Sequence, residues 1–297
     1  MKKFLGLIVL SLILFLAACG SSGEEENTGG DSAEDTSENT TEEANEEATD
    51  EPVEIVVGAS STPHAEILEE AKPLLEEQGI TLTIETYQDY VLPNEDLEAG
   101  TLDANYFQHI PFLEQTVEDT GYDLDYIDGI HIEPMGVYSQ NIKSIDDIED
   151  GTEVIISRSI PDHGRILSLF EAQGLLTLDE GVEKSTATVE DIVDNPKNLT
   201  FSADVDPLLL PEMYFSEADA LVAINTNYAI DADLNPLEDA LFIEDENSEY
   251  VNVLGVRGED MDNETLTTLV EVLQSEEIQN FILDTYEGAI VPVGGSN

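Results

Sequence analysis

Glu54-Ile-Val-Val-Gly-Ala-Ser-Ser-Thr-Pro-His-Ala-Glu-Ile-Leu68 passes from one backbone period to another, and that passage decides the fold class. Ile55 to Val57 is a β-branched run of the kind that a strand buried on both faces requires. After Ser60-Ser61-Thr62-Pro63, the apolar positions Ile67, Leu68, Ala71, Leu74 and Leu75 fall on one helical face. Thr62 is expected to cap this helix, with Pro63 in its first turn. Pro73 is expected to kink or shorten it.

The same alternation continues to the end of the chain. Strands are expected at Thr81–Thr86, Leu102–Ala104, Tyr126-Ile127, Pro134–Ser139, Glu153–Ser157, Leu199–Ala203, Ala220–Asn225 and Tyr250–Arg257. Helices are expected at Leu92–Ala99, stopped by Gly100, at Tyr106–Gln115, at Gly164–Gln173, stopped by Gly174, near Val189–Asp194, at Glu264–Leu273 and at Glu276–Tyr286. Strands alternating with helices predict an α/β protein whose sheets are mostly parallel.

Ahead of this pattern, Lys2 and Lys3 precede an apolar run from Phe4 to Ala17 and the ending Leu16-Ala17-Ala18-Cys19. The run is short of the ~20 residues that span a bilayer, so residues 1–18 read as a signal peptide. The ending resembles the lipobox of bacterial lipoproteins, which makes Cys19 the expected lipidation site and the mature N-terminus. Cys19 is the one cysteine in the chain, so no disulfide can form within it. From Gly20 to Glu51 there is no aromatic and no branched aliphatic residue. Such a segment cannot bury a core, and residues 19–51 are expected to be a disordered acidic tether reaching roughly 30 Å.

Nine Lys and Arg face 67 Asp and Glu, a formal net charge of −58, which excludes nucleic acid as a partner. The acids sit on the polar faces of well-patterned helices, and no spaced Asp/Asn/Gly loop of an EF-hand is present. A salt-rich habitat is the expectation that fits, because ions screen self-repulsion over ~3 Å at 1 M.

In open α/β sheets, ligands bind beyond the carboxyl ends of strands. That rule selects the residues after Val57, Ala104, Val137, Ile156 and Ile224: Ser60–Thr62, Asn105–His109, Tyr138, Ser157–Arg165 and Asn225–Asn227. Leu102-Asp-Ala-Asn-Tyr-Phe-Gln-His-Ile-Pro-Phe-Leu113 packs three aromatics and a histidine into a chain that is 6% aromatic and has no Trp. Phe107, His109 and Phe112, with Tyr90, offer flat apolar faces with polar edges. Core packing accounts for Phe112 equally well. Arg165 is one of three arginines and follows a glycine on the turn expected to open a helix, where it can grip a carboxylate through two parallel bonds or pair with one of the many acids. Arg158 has the same two readings. Asn225 and Asn227 can meet an amino-acid head group or cap a helix.

No nucleophile elbow, His-Glu-x-x-His run or Gly-rich phosphate loop is present, and His64, His109, His131 and His163 are scattered. No enzyme, cofactor or metal site is expected. The competing class is a surface-anchored hydrolase on the same scaffold.

Six segments carry a resemblance to the methionine-binding lipoproteins of bacterial methionine ABC transporters, of the NlpA lipoprotein family. They are Gly58–Ile67, Asp89–Asn94, Leu102–His109, Pro134–Ser139, Asn195–Asn198 and Ala223–Ala229. The resemblance covers Ile55 to Pro292 and implies a two-lobed periplasmic-binding-protein-like fold (type II) that encloses an amino acid. On that basis lobe 1 is expected to be 52–138 plus 240–297, and lobe 2 to be 139–239. Tyr90, Phe107, His109 and Phe112 match the family's side-chain pocket, Arg165 matches the arginine that holds the ligand carboxylate, and Asn225 or Asn227 matches an asparagine near the head group. Tyr138 and His163 are further candidates. The implied partners are methionine, L or D, the membrane through the lipid anchor, and an ABC permease with its ATPase subunit, at the outer face of the cytoplasmic membrane. A Met-containing dipeptide or another small amino acid or anion is the alternative ligand. One run departs: where relatives commonly show an Asn-Asp-Pro-Thr-Asn-like segment before the Gly-Arg, this chain has Ser157-Arg-Ser-Ile-Pro-Asp-His163, so that a polar contact is expected to be either lost or replaced by Asp162 or His163.

Overall fold

The computed structural model describes residues 52–245 and 248–294. The expected signal peptide, Cys19 and the tether to residue 51 lie outside them.

The first half runs β1 (Val53–Ser60), α1 (Glu66–Glu76), β2 (Ile80–Tyr87), α2 (Leu92–Glu98), β3 (Ala104–His109), α3 (Ile110–Thr120), β4 (Leu124–Ile132) and β5 (Gly136–Tyr138). There follow β6 (Glu153–Ser157), α4 (Ile160–Ala172), β7 (Thr177–Leu178), β8 (Ile192–Asp194), β9 (Thr200–Val205), α5 (Leu210–Ser216) and β10 (Leu221–Ile224). The chain closes with α6 (Thr226–Asp231), α7 (Pro236–Asp239), β11 (Ala240–Ile243), β12 (Val251–Arg257), α8 (Glu264–Leu273), α9 (Glu276–Tyr286) and β13 (Val291–Pro292).

These strands form a six-stranded sheet, β13-β4-β12-β3-β1-β2, a five-stranded sheet, β11-β5-β10-β6-β9, and a small β7-β8 pair. Each large sheet is the centre of one lobe of a two-lobed α/β fold. Ile55, Val57 and Ala59 of β1 pack against Ile67, Leu68, Ala71 and Leu75 of α1, while α8 and α9 add Leu269, Leu273, Ile278 and Ile282 to the same core. In the second lobe, Val154 and Ile156 of β6 pack with Ile166, Leu167 and Phe170 of α4. The spacing of these residues at three, four and seven positions makes each helix bury a single stripe.

Both sheets are mixed rather than mostly parallel. β1 pairs in parallel with β2 and β3, and β6 with β9 and β10, but β12 is antiparallel to β3 and β4, and β5 is antiparallel to β10 and β11. The expected lobe boundaries shift accordingly. β5 precedes the boundary expected after Tyr138, and β11 follows the one expected after Asp239, yet both belong to the second sheet. The chain therefore crosses between lobes at the β4–β5 and β11–β12 connections.

Local differences have identifiable causes. Thr62 is extended (φ −126°, ψ 135°) and does not cap α1; its hydroxyl donates to Glu66 Oε1 at 3.1 Å. α1 continues one turn past Pro73. The helix expected from Tyr106 begins instead at Ile110, because β3 stays paired with β12 through His109. The helix expected near Val189 is a short 3-10 turn, Val189–Asp191, closed by a Thr188/Asp191 capping box and followed directly by β8. α4 starts at Ile160, four residues ahead of the expected Gly164.

Candidate functional site

Between the lobes lies a small cavity of about 30 Å³ lined by Tyr90, Phe107, Gln108, His109, Phe112, Glu133, Asp162, Arg165, Asn225, Thr226, Asn227 and Asn252. Its wall on the first lobe depends on an irregularity of β3. Gln108 pairs with Val253 and Tyr106 with Leu254, which leaves Phe107 as the extra residue of a bulge. A bulge re-aims side chains beside it. Phe107, Gln108 and His109 all reach the cavity as a result, and Asn105 comes onto the same side as Gln108, whose Nε2 donates to Asn105 Oδ1 at 2.9 Å. His109 then ends the strand and caps α3: its Nδ1 accepts from the Phe112 amide at 3.2 Å. The ring proton therefore lies on Nε2, 3.7 Å from Asp162 Oδ1 across the cleft. Tyr90 packs edge-on to Phe112 with centroids 5.9 Å apart and stacks on Tyr228 at 4.9 Å. Its hydroxyl donates to Asn227 Oδ1 at 2.6 Å, joining the lobes.

On the second lobe, Arg165 stands in the second turn of α4, so the anion site expected of a helix N-terminus does not include it. Gly164 sets its position: a Cβ there would lie 2.1 Å from the Lys184 carbonyl oxygen. The guanidinium donates from Nε and Nη2 to Glu244 Oε2 (2.9 and 2.5 Å) and from Nη2 to the Glu133 carbonyl at 2.6 Å, while the Tyr250 ring covers it at 4.6 Å. Nη1 has no hydrogen-bond partner among the described residues. Arg165 thus pairs with an acid, as one of its two readings expects, and also lines the cavity. Burial lowers its pKa, and the Glu244 carboxylate more than offsets this. Arg158 remains at the cleft mouth, paired with Asp206 at 2.7 Å.

Burial pushes the Asp162 carboxyl up, but His109, Arg165 and Ser157 outweigh it and leave the group below the usual range. Asn225 Nδ2 lies 3.5 Å from both Asp162 oxygens, and Asn225 Oδ1 is buried without a partner. Neither Asn225 nor Asn227 caps α6 with its side chain; both line the cavity.

Tyr90, Phe107, His109, Phe112, Arg165, Asn225 and Asn227 thus meet at one cavity. Tyr138 and His163 do not. β5 runs antiparallel to β10, so Tyr138 lies at the end away from the cleft and is buried in the second lobe's core. His163 turns back to donate Nε2–H to the Ser157 carbonyl at 2.6 Å, and of the altered run it is Asp162 that reaches the cavity. Antiparallel strands also hid true wall residues. β5 enters from the cleft, which puts Glu133 there, and Asn252 pairs with His109 at the cleft end of β12.

Behind Glu133 is a buried polar group. His131 Nε2 lies 2.9 Å and His64 Nε2 3.1 Å from Glu133 Oε1; His131 Nδ1 meets the Tyr106 hydroxyl, and His64 Nε2 also faces Asn252 Oδ1 at 3.1 Å. Burial lowers the His64 pKa to about 4 and that of His131 to about 3, and raises that of Glu133.

A family model described as NlpA lipoprotein matches residues 55–294. A Bacillus subtilis protein named methionine-binding lipoprotein MetQ is 42% identical over 294 residues, 98% of each chain. The solved structure of a Burkholderia cenocepacia nutrient binding protein bound to methionine is 34% identical, with a TM-score of 0.77 over 81% of this chain and 100% of that one. A Coxiella burnetii structure described as an ABC transporter, periplasmic substrate-binding protein, is also 34% identical, with a TM-score of 0.76 over 80% of this chain and 100% of that one.

Proposed function

Because the chain belongs to the NlpA lipoprotein family, we propose that it is a lipid-anchored substrate-binding protein that captures methionine between its lobes and delivers it to an ABC importer. The observation that carries this reading is the meeting of Tyr90, Phe107, Phe112 and His109 with Arg165, Asn225 and Asn227 around one inter-lobe cavity. The aromatic set suits a thioether, which packs well against ring faces and edges. Arg165 Nη1 suits the ligand carboxylate, and the two asparagines suit the head group.

In this reading the lipid at Cys19 holds the protein at the outer face of the cytoplasmic membrane, and the acidic segment to residue 51 is the tether. Among the described residues no helix is long and apolar enough to cross a membrane. The lobes close by bending at the β4–β5 and β11–β12 connections, and no bond is made or broken.

Titration calorimetry of the purified chain, stripped of carried ligand by unfolding and refolding, tests the reading with L-methionine, D-methionine and the other amino acids. Saturable heat with a methionine enantiomer supports it. Heat with other amino acids alone, or with none, overturns the methionine assignment.

A further inference from the structure

His64, His131 and Glu133 are buried, and their donor atoms lie within 4.8 Å of one another, close enough to hold a metal ion. The proton positions point elsewhere. The Tyr106 hydroxyl donates to His131 Nδ1, which leaves the proton on Nε2, facing Glu133 Oε1. His64 Nε2 faces two acceptors, Glu133 Oε1 and Asn252 Oδ1, so it too carries a proton, and its buried Nδ1 has no partner. A metal would need both Nε2 atoms stripped of their protons. It would also force the His64 proton onto Nδ1, where no acceptor waits, at a cost of ~1–3 kcal/mol.

The lone pairs of Glu133 can then be counted. Oε1 has two and accepts the His131 N–H at 2.9 Å, while His64 Nε2 lies 3.1 Å away with its hydrogen bond to Asn252 Oδ1. Oε2 takes one bond, from the Asn227 amide at 3.2 Å, and keeps one lone pair to offer. Glu133 lines the cavity, and its backbone carbonyl holds Arg165 Nη2 at 2.6 Å. One residue thus anchors the cation that suits a carboxylate while its own carboxylate faces the same space. An α-amino acid carries ammonium and carboxylate on one carbon, so their receptors must be neighbours.

We propose that Glu133 is the receptor for the ligand's α-ammonium, with His64 and His131 as positioning residues that fix its carboxylate, so that the site takes free amino acids and rejects their desamino counterparts. This rests on the amino-acid reading above. It leaves Asp162 in a different position, with both its oxygens at 3.5 Å or more from Asn225 and His109. Burial is the main force on all three members of the cluster, raising the pKa of Glu133 and lowering those of the two imidazoles. The N–H donors stabilise the ionised carboxylate without adding a charge.

The test is calorimetric titration of the full purified chain with L-methionine and with 4-(methylthio)butanoate, which lacks only the amine. Glu133→Gln is expected to weaken methionine binding about 30-fold or more while leaving the desamino acid within about threefold, so that discrimination collapses. His131→Leu is expected to lower the same ratio, and His131→Gln, which keeps an N–H at the Nε2 position, to restore most of it. Variants are compared only after their circular dichroism matches wild type, and the ratio between the two ligands cancels a general loss of packing. Equal loss of both ligands in Glu133→Gln, no discrimination by wild type, or transfer of the effect to Asp162→Asn overturns the inference and leaves methionine binding standing. Absence of binding by any amino acid overturns both. Uptake of one equivalent of Zn²⁺ that competes with methionine and is abolished by His131→Gln would instead make the cluster a metal site.

Discussion

Arg165 and Glu244 form a buried ion pair in which Nε and Nη2 converge on one carboxylate oxygen, Oε2, so the guanidinium is held edge-on and Nη1 is left for the cavity. Glu244 follows β11 at the crossing between lobes, and Arg165 stands on α4 of the second lobe. In the proposed reading, the pair therefore ties the grip on a ligand carboxylate to the crossing between the lobes. Arg165→Ala is expected to weaken methionine binding at least about 30-fold in calorimetry, the worth of ~2 kcal/mol for a desolvated charged hydrogen bond. Arg165→Lys should restore little. A single ammonium cannot reach Glu244 Oε2 and the Glu133 carbonyl while also facing the cavity.

Tyr90 and Tyr228 join the lobes from opposite directions. Tyr90 Oη donates to Asn227 Oδ1 at 2.6 Å, and Tyr228 Oη donates to the Gln88 carbonyl at 3.0 Å. Tyr90→Phe keeps the ring stack and removes one inter-lobe bond worth ~1 kcal/mol. Methionine affinity is expected to fall about fivefold, mainly through a faster off-rate in stopped-flow displacement. An unchanged off-rate would remove this bond from the closing mechanism.

How much of this site was legible in the sequence depends on strand direction. Phe107 and His109 lie at the carboxyl end of β3, and Asp162, Arg165, Asn225 and Asn227 follow β6 and β10, all strands that point at the cleft, so the rule about carboxyl ends found their segments. Glu133 precedes β5 and Asn252 lies near the start of β12, strands that leave the cleft, and Tyr138 ends β5. The direction of β5 and β12 is set by which neighbours they pair with, and residue periodicity carries no signal of that. The bulge at Phe107 was hidden for a related reason, because β3 is buried on both faces and shows no alternation to break.

Gly164 tests whether the depth of Arg165 is set by backbone contact. A Cβ there would approach Lys184 O to 2.1 Å and Ser185 C to 2.8 Å, both main-chain atoms with nowhere to rotate. Gly164→Ala must push α4 away from the 184–186 turn, a form of overpacking that costs ~1–3 kcal/mol. Thermal unfolding should show a melting temperature lower by several degrees, roughly 2–4 °C for each kcal/mol at this size. Methionine affinity should fall with it, since α4 carries Arg165 and Asp162. Glu69→Ala, at the exposed pair with Lys72 on α1, is the control and should shift neither measurement appreciably.

The net charge of −58 makes self-repulsion a term in stability that salt can reduce. Raising KCl from 0.1 to 1 M shortens the Debye length from ~10 to ~3 Å. The melting temperature is expected to rise across that range, and an isosmotic sucrose series separates charge screening from surface exclusion. If sucrose reproduces the whole rise, the acidity is not what salt acts on.

The His64 imidazole gives stability a pH dependence whose sign can be worked out. Its pKa is lowered from 6.5 to about 4, chiefly by burial, so between those values the unfolded chain holds a proton that the folded chain lacks. Stability is then complete above pH 6.5 and is lost as pH falls towards 4, by up to about 3 kcal/mol. His131, lowered to about 3, acts in the same direction. Glu133 acts in the opposite one, because its raised pKa makes the folded chain hold a proton that the unfolded chain loses above pH 4.5. Lower net negative charge in acid also favours the folded state. The contribution of His64 is therefore read as a difference between wild type and His64→Gln, which keeps an N–H donor but cannot titrate. Denaturant unfolding at intervals from pH 7.5 to 4 should show wild type losing stability with falling pH more steeply than His64→Gln, by up to one proton in the slope. Parallel curves would mean that His64 takes up its proton in the folded state, and a protonated imidazole beside Glu133 would then be part of the native site.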